Sequence, residues 1–191
     1  MIRFLMLIFL LLCSSCVQIG GDRPASHHYL LQSMDSETTS LSSKSLNIEL
    51  KIIDFPGYLD QKNILTYNQD NSVNIASSAR WAEPLQDNLM RILRKNLYIL
   101  LPEALISVSP WEQTPPGATQ VKLLINNFTG KLGNEVDIDL NWLAEKEGRT
   151  VDRGHFVYRH PLGSGHSDLA FELSQGIEVF SHMIAEKLMS Y

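Results

Sequence analysis

The chain has 191 residues, of which 44% are hydrophobic and 19% charged, enough for one globular domain with a substantial core. Its formal charge is −5, which argues against nucleic acid as a partner and against electrostatic adsorption to anionic headgroups. Loss of Arg3 with a cleaved leader would leave 15 basic against 21 acidic side chains, or −6, and reinforce that exclusion.

The amino terminus has the layout of a secretory leader. Arg3 lies in a short cationic start, an unbroken apolar run extends from Phe4 to Leu12, and Cys13, Ser14 and Ser15 supply small residues before Cys16. The run is shorter than the roughly 20 residues that a membrane-spanning helix needs. A cysteine directly after small residues resembles the lipobox of bacterial lipoproteins. In that family the thiol receives a diacylglyceryl group, the leader is cut just before the cysteine, and the new amine is acylated. Residues 1–15 are therefore expected to be the leader and residues 16–26 a lipidated tether.

The cysteine count agrees. Of 2 Cys, Cys13 leaves with the leader, so no internal disulfide can form, and acylation of Cys16 accounts for the odd thiol. Each buried methylene contributes about 0.8 kcal/mol, so several acyl chains anchor a protein almost permanently. Val17 stands where Asp would retain a lipoprotein at the inner membrane in enterobacterial-type sorting, which points to the outer one. No later segment is apolar enough to span a bilayer, so lipid is the expected anchor.

The domain is expected over residues 27–191. Residues 27–32 suit a short strand, and the Ser/Thr-rich stretch 33–45 a loop. Leu46, Ile48 and Leu50 alternate with polar residues in a strand that ends at the Pro56-Gly57 turn signal. Residues 64–67 and 72–76 suit a hairpin around Gln69-Asp70-Asn71. Trp81, Leu85, Leu89, Ile92, Leu93, Asn96, Leu97 and Leu100 recur at helical spacing, with Pro84 in the first turn and Pro102 as the stop.

Residues 105–108 suit a short strand followed by a Pro-rich loop. Two alternating runs, through Val121–Ile125 and Val136–Trp142, flank a Gly-containing turn at 129–134, and a third strand covers 151–160 after Glu147-Gly148. Ser167 is expected to cap a final helix whose apolar face holds Leu169, Leu173, Ile177, Phe180, Ile184 and Leu188. Hairpins with two helices on one face predict a single α+β domain with a mostly antiparallel sheet.

Catalytic and metal patterns are weak. Glu135, Asp137 and Asp139 alternate along one strand face and read as a solvated row opposite Val136, Ile138 and Leu140, with Arg153 and Arg159 as cross-strand partners. His155 and His160 differ by an odd number, so they face opposite sides of one strand, and with His166 they match no zinc spacing. No nucleophile elbow, phosphate loop or dinucleotide fingerprint occurs. The sequence therefore predicts no enzyme, no cofactor and no metal.

Several motifs occur in a fixed order: Tyr29-Leu30-Leu31, Pro56-x-Tyr58-Leu59-Asp60, Trp81-Ala82-Glu83-Pro84-Leu85-x-x-x-Leu89, and Phe128-x-Gly130 ahead of a strand ending at Trp142. These resemble the ABC-type transport auxiliary lipoproteins, the PqiC-like family, across nearly the whole mature chain. The resemblance implies an outer-membrane lipoprotein that works with a periplasm-spanning MCE-domain protein to move lipid between two membranes. Pro56, Tyr58, Leu59, Trp81 and Pro84 form the candidate partner surface, since aromatic residues at turns and helix starts suit interfaces. A core or staple role is the competing reading for Trp81 and Leu59. A homo-oligomer fits such machinery. The alternatives are an accessory lipoprotein of outer-membrane or cell-wall assembly and, third, a soluble lipid carrier.

Overall fold

The longest strands arise where apolar and polar residues alternate without interruption. In the computed structural model, which describes residues 25–41, 44–70 and 72–191, these are β6 (Thr119–Lys131), β7 (Glu135–Lys146) and β8 (Arg149–Pro161). They form an antiparallel meander. The β7–β8 turn is two residues long, and Glu147 and Gly148 both have positive φ (52° and 73°), the backbone signature of a twisted tight hairpin.

The other elements, in chain order, are β1 (His27–Tyr29), β2 (Asn47–Asp54), β3 (Asn63–Tyr67), β4 (Val73–Trp81), α1 (Leu85–Leu100), β5 (Leu105–Val108) and, after β8, α2 (His166–Met189). They assemble into a five-stranded sheet ordered β5-β2-β6-β7-β8 and a three-stranded sheet ordered β1-β4-β3. This is the expected α+β domain with two helices. Its sheets are mixed rather than purely antiparallel, because β2 runs parallel to both β5 and β6, and β1 runs parallel to β4. Parallel neighbours need long connections, and the stretch holding β3, β4 and α1 supplies the one between β2 and β5.

Both helices cover one face of the large sheet. Leu89, Leu93, Leu97 and Leu100 of α1 and Leu173, Ile177, Phe180 and Ile184 of α2 pack on Ile48, Leu50, Leu123, Ile138 and Leu140, all at most 1% exposed. Two glycines permit the close approach. A Cβ at Gly154 would lie 2.8 Å from the Trp142 indole, and one at Gly176 would lie 2.3 Å from Ile138 Cδ1 and 2.8 Å from the Tyr158 ring.

The chain after β1 threads between the helices. The Leu31 N–H donates to Asn88 Oδ1 (2.7 Å), the Gln32 N–H to Ser174 Oγ (3.0 Å) and the Met34 N–H to Asn96 Oδ1 (3.0 Å), while Asn96 Nδ2 donates to Ser181 Oγ (3.1 Å). These buried polar groups do the work of a sheet partner for the segment, which explains an asparagine in the apolar stripe of α1. The expected strand at 27–32 is thus only three residues long. The Ser/Thr-rich loop is fastened as well, by buried Met34 and by the Leu41 N–H donating to the Leu100 carbonyl (2.8 Å).

Three local boundaries differ from the sequence reading. Trp81 closes β4 instead of opening α1, and its N–H donates to the Lys62 carbonyl (2.8 Å). Pro84 takes the N-cap position, its carbonyl accepting the Asn88 N–H (3.0 Å). Gly165, rather than Ser167, precedes α2, and Asp168 Oδ2 reaches back to the Gly165 N–H (3.0 Å). The side chain that satisfies the open end is one turn into the helix.

Candidate docking surface

The turn after β2 sets the position of Tyr58. The Leu59 N–H donates to the Pro56 carbonyl (2.9 Å) and the Asp60 N–H to the Gly57 carbonyl (3.3 Å). This buries Leu59 at 3% exposure and leaves Tyr58 at 39%. Pro56 is half-buried and closes the turn.

Tyr58 therefore leans on the uncovered face of the large sheet. Its hydroxyl lies 3.3 Å from the Asn126 carbonyl and 3.2 Å from Asn127 Oδ1, with the Tyr67 hydroxyl 3.4 Å from the same amide oxygen. The two phenol rings are tilted at 54°, with centroids 6.4 Å apart. Burial first, and then the neighbouring Tyr67 and Asp137, push the Tyr58 phenol well above its ordinary pKa, so it stays a hydrogen-bond donor at any physiological pH.

The network continues across the sheet. Asn127 Nδ2 donates to Asp137 Oδ2 (2.8 Å), and Arg159 Nε donates to Asp137 Oδ1 (2.9 Å). Asn126 Nδ2 donates to Asp139 Oδ1 (2.6 Å), which also lies 2.9 Å from His155 Nε2. Asn126 and Asn127 both reach this face because the β6–β7 register shifts between Ile125 and Asn127, a bulge that adds one residue to β6. The resulting depression, about 420 Å³, is lined by Tyr58, Tyr67, Asn127, Lys131, Asp137 and Arg159.

The acidic row is thus a solvated face with a cross-strand cation. Arg159 is the partner; Arg153 stands opposite Leu143, farther along the strand. The histidines divide as their spacing requires, with His155 on Asp139 and His160 Nδ1 on Glu172 Oε2 of α2 (3.0 Å), on the helix-covered side.

The five sequence-nominated residues do not form one surface. Tyr58 belongs to the depression above. Trp81, 7% exposed and in the core cluster, and exposed Pro84 border a separate cleft of about 530 Å³ at the β4–α1 junction. Leu59 and Trp81 take the core role that competed with the interface reading. Cys16 lies outside the described residues. Tyr67, Asn126 and Asn127 escaped notice in the sequence, although consecutive asparagines late in an apolar alternation are a signal of a bulge.

The sequence matches the family described as ABC-type transport auxiliary lipoprotein component across residues 29–185, from the end of β1 to the last turns of α2. The chain belongs to this family. Two relatives, from Escherichia coli (strain K12) and Shigella flexneri, are each named intermembrane transport lipoprotein PqiC. Each is 25% identical over 126 residues, covering 65% of this chain and 64% of the relative. The chain therefore matches just under two-thirds of those proteins' length.

A crystal structure of an uncharacterized protein superposes with a TM-score of 0.70 at 22% identity, over 86% of this chain and 99% of that one. A Xanthomonas campestris protein superposes with a TM-score of 0.65 at 13% identity, over 86% of this chain and 95% of its own. Both share the fold. No helix among the described residues is long and apolar enough to cross a membrane.

Proposed function

We propose that this protein is a non-catalytic accessory subunit of an intermembrane lipid transport complex, held by acylated Cys16 to the periplasmic face of the outer membrane, where it docks a periplasm-spanning MCE-domain partner. The observation that carries this reading is the family match across residues 29–185. The name of the PqiC relatives, intermembrane transport lipoproteins, supports the transport role. The leader at residues 1–15 and the tether at 16–26 supply the attachment, and residues 27–191 the docking domain.

The surface proposed for the partner is the Tyr58 depression. Its side chains are fixed before binding by Asn127 and Asp137, and a preorganised polar surface loses little side-chain freedom on association. Tyr58 itself offers a half-exposed ring, the kind of anchor that interfaces favour. Self-association into a ring around the conducting partner fits the same role.

A photo-crosslinker at Tyr58 in intact cells, followed by solubilisation of the membranes and mass spectrometry, tests the reading. An MCE-domain protein in the crosslinked product is the expected result. A barrel-assembly or cell-wall synthesis protein in its place overturns the transport function while keeping the lipoprotein. Cys16→Ala is expected to shift the protein from the membrane fraction to the soluble periplasm; retention on the membrane overturns the anchor.

A further inference from the structure

The three-stranded sheet carries two adjoining depressions that the docking surface does not use. The cleft of about 530 Å³ at the β4–α1 junction is lined by Lys62, Arg80, Trp81 and Pro84. A groove of about 370 Å³ beside it is lined by Leu30 and Phe171. His28 and Ala82 line both, so the two lie side by side.

Their chemistry differs end to end. The side chains of Arg80 and Lys62 make no hydrogen bond or ion pair with any described residue, and Arg80 Nε is buried without a partner. His28 stands directly opposite Arg80 in the parallel β1–β4 pairing. Of the two carboxylates at the rim, Glu83 is committed to Arg91, at 3.0 Å from its Nε, which leaves Asp60 as the opposing charge. In the adjoining groove Leu30 and Phe171 are 44% and 58% exposed. A buried guanidinium donor without an acceptor is costly, and a guanidinium fork fits a phosphate geometrically. Exposed apolar side chains next to it fit a hydrocarbon chain.

We propose that these two depressions form a binding site for one anionic phospholipid, with the headgroup phosphate on Arg80 and Lys62 and an acyl chain along Leu30 and Phe171. The site goes beyond the docking reading: it lies on another surface, takes lipid instead of protein, and stands whichever protein partner is found. The acidic balance of the whole chain opposes broad adsorption to an anionic surface, but it leaves a local phosphate pocket intact, because charges farther apart than about 8 Å are largely screened at physiological salt. Position favours membrane lipid as the source. Nine Cα-to-Cα steps lead from Cys16 to Ala25, at the start of the described chain beside β1. At roughly 3.3–3.6 Å each they reach about 30 Å at full extension, so an acylated Cys16 keeps the groove close to the bilayer.

Native mass spectrometry of the full chain in nonionic detergent tests this with three probes: short-chain phosphatidylglycerol, phosphatidylcholine of equal chain length, and glycerol phosphate. One phosphatidylglycerol per chain, held at least about tenfold more tightly than either other probe, is the expected result. Arg80→Gln and Lys62→Gln should each remove that preference, Arg80→Lys should keep part of it, and Phe171→Ser should weaken the lipid without changing glycerol phosphate. Lys62 is exposed, so its substitution leaves the fold intact and keeps the test decisive if Arg80→Gln does not fold. Equal retention of the two lipids, or a phosphatidylglycerol preference that survives both charge substitutions, overturns the proposal. Glycerol phosphate bound as tightly as the lipid overturns it too, leaving a plain anion site.

Discussion

On β7 alternate residues serve the two faces of the five-stranded sheet, and the two faces do different things. Ile138, Leu140 and Trp142 point to the helices and are at most 4% exposed. Asp137 and Asp139 point the other way and carry the hydrogen-bond network around Tyr58. Stability is concentrated on the first face, where loss of a methyl group leaves a void. The second face holds charge and amide groups in fixed positions at small energetic consequence, which is the property a docking surface needs.

Substitution can break that division. Ile138→Ala should have the largest effect, destabilising the domain by about 2–5 kcal/mol, because a fully buried side chain leaves a cavity between β7 and α2. Urea unfolding followed by circular dichroism measures it. Gly154→Ala should come next, at about 1–3 kcal/mol, since the added methyl meets the face of an indole that cannot swing away. Asp137→Asn on the open face should cost less than about 1 kcal/mol, as partly exposed ion pairs usually do. The same substitution should nonetheless reduce crosslinking through Tyr58, because it releases Asn127. A stability loss from Asp137→Asn as large as that from Ile138→Ala would show that the open face is structural.

How legible each face was follows from how local its interactions are. The β6–β8 meander and both helices were readable because period-two and period-3.6 patterns are carried by neighbouring residues, and the Glu147-Gly148 turn is a short-range signal. The mixed sheet was not readable. β2 pairs with β5, 58 residues away, and with β6, 70 to 71 residues away, and alternation says which face a residue occupies without saying which strand lies beside it. The threading of residues 31–34 between the helices was hidden for the same reason. Its partners, Asn88, Asn96 and Ser174, look like interruptions of apolar stripes until the backbone N–H groups that they accept are known. Of the nominated surface, Tyr58 could be found from its turn, whereas the bulge that brings Asn126 and Asn127 beneath it depends on a register that only pairing defines.

The smallest expected effect separates the helix-covered side from the open side by pH. His166, the first residue of α2, packs near Tyr29, with ring centroids 6.4 Å apart, and its Nε2 is buried with no partner among the described residues. Burial lowers its pKa below the usual histidine value. The unfolded chain, with an ordinary pKa of about 6.5, then takes up the proton before the folded protein does. Stability is therefore unaffected by this group above about pH 6.5, declines as pH falls through that value, and levels off below the folded pKa. Asp152 acts lower on the scale. The Tyr191 hydroxyl, the Arg153 N–H and Lys187 hold its pKa below the ordinary carboxylate value, so its contribution is present above about pH 3.9 and is lost as pH falls through the folded pKa. Denaturant midpoints measured from pH 7.5 down to about 5 should fall for the wild type and fall less for His166→Gln. Parallel curves would mean that water reaches the imidazole in the folded state, and that the end of α2 beside β1 is more open than its packing indicates.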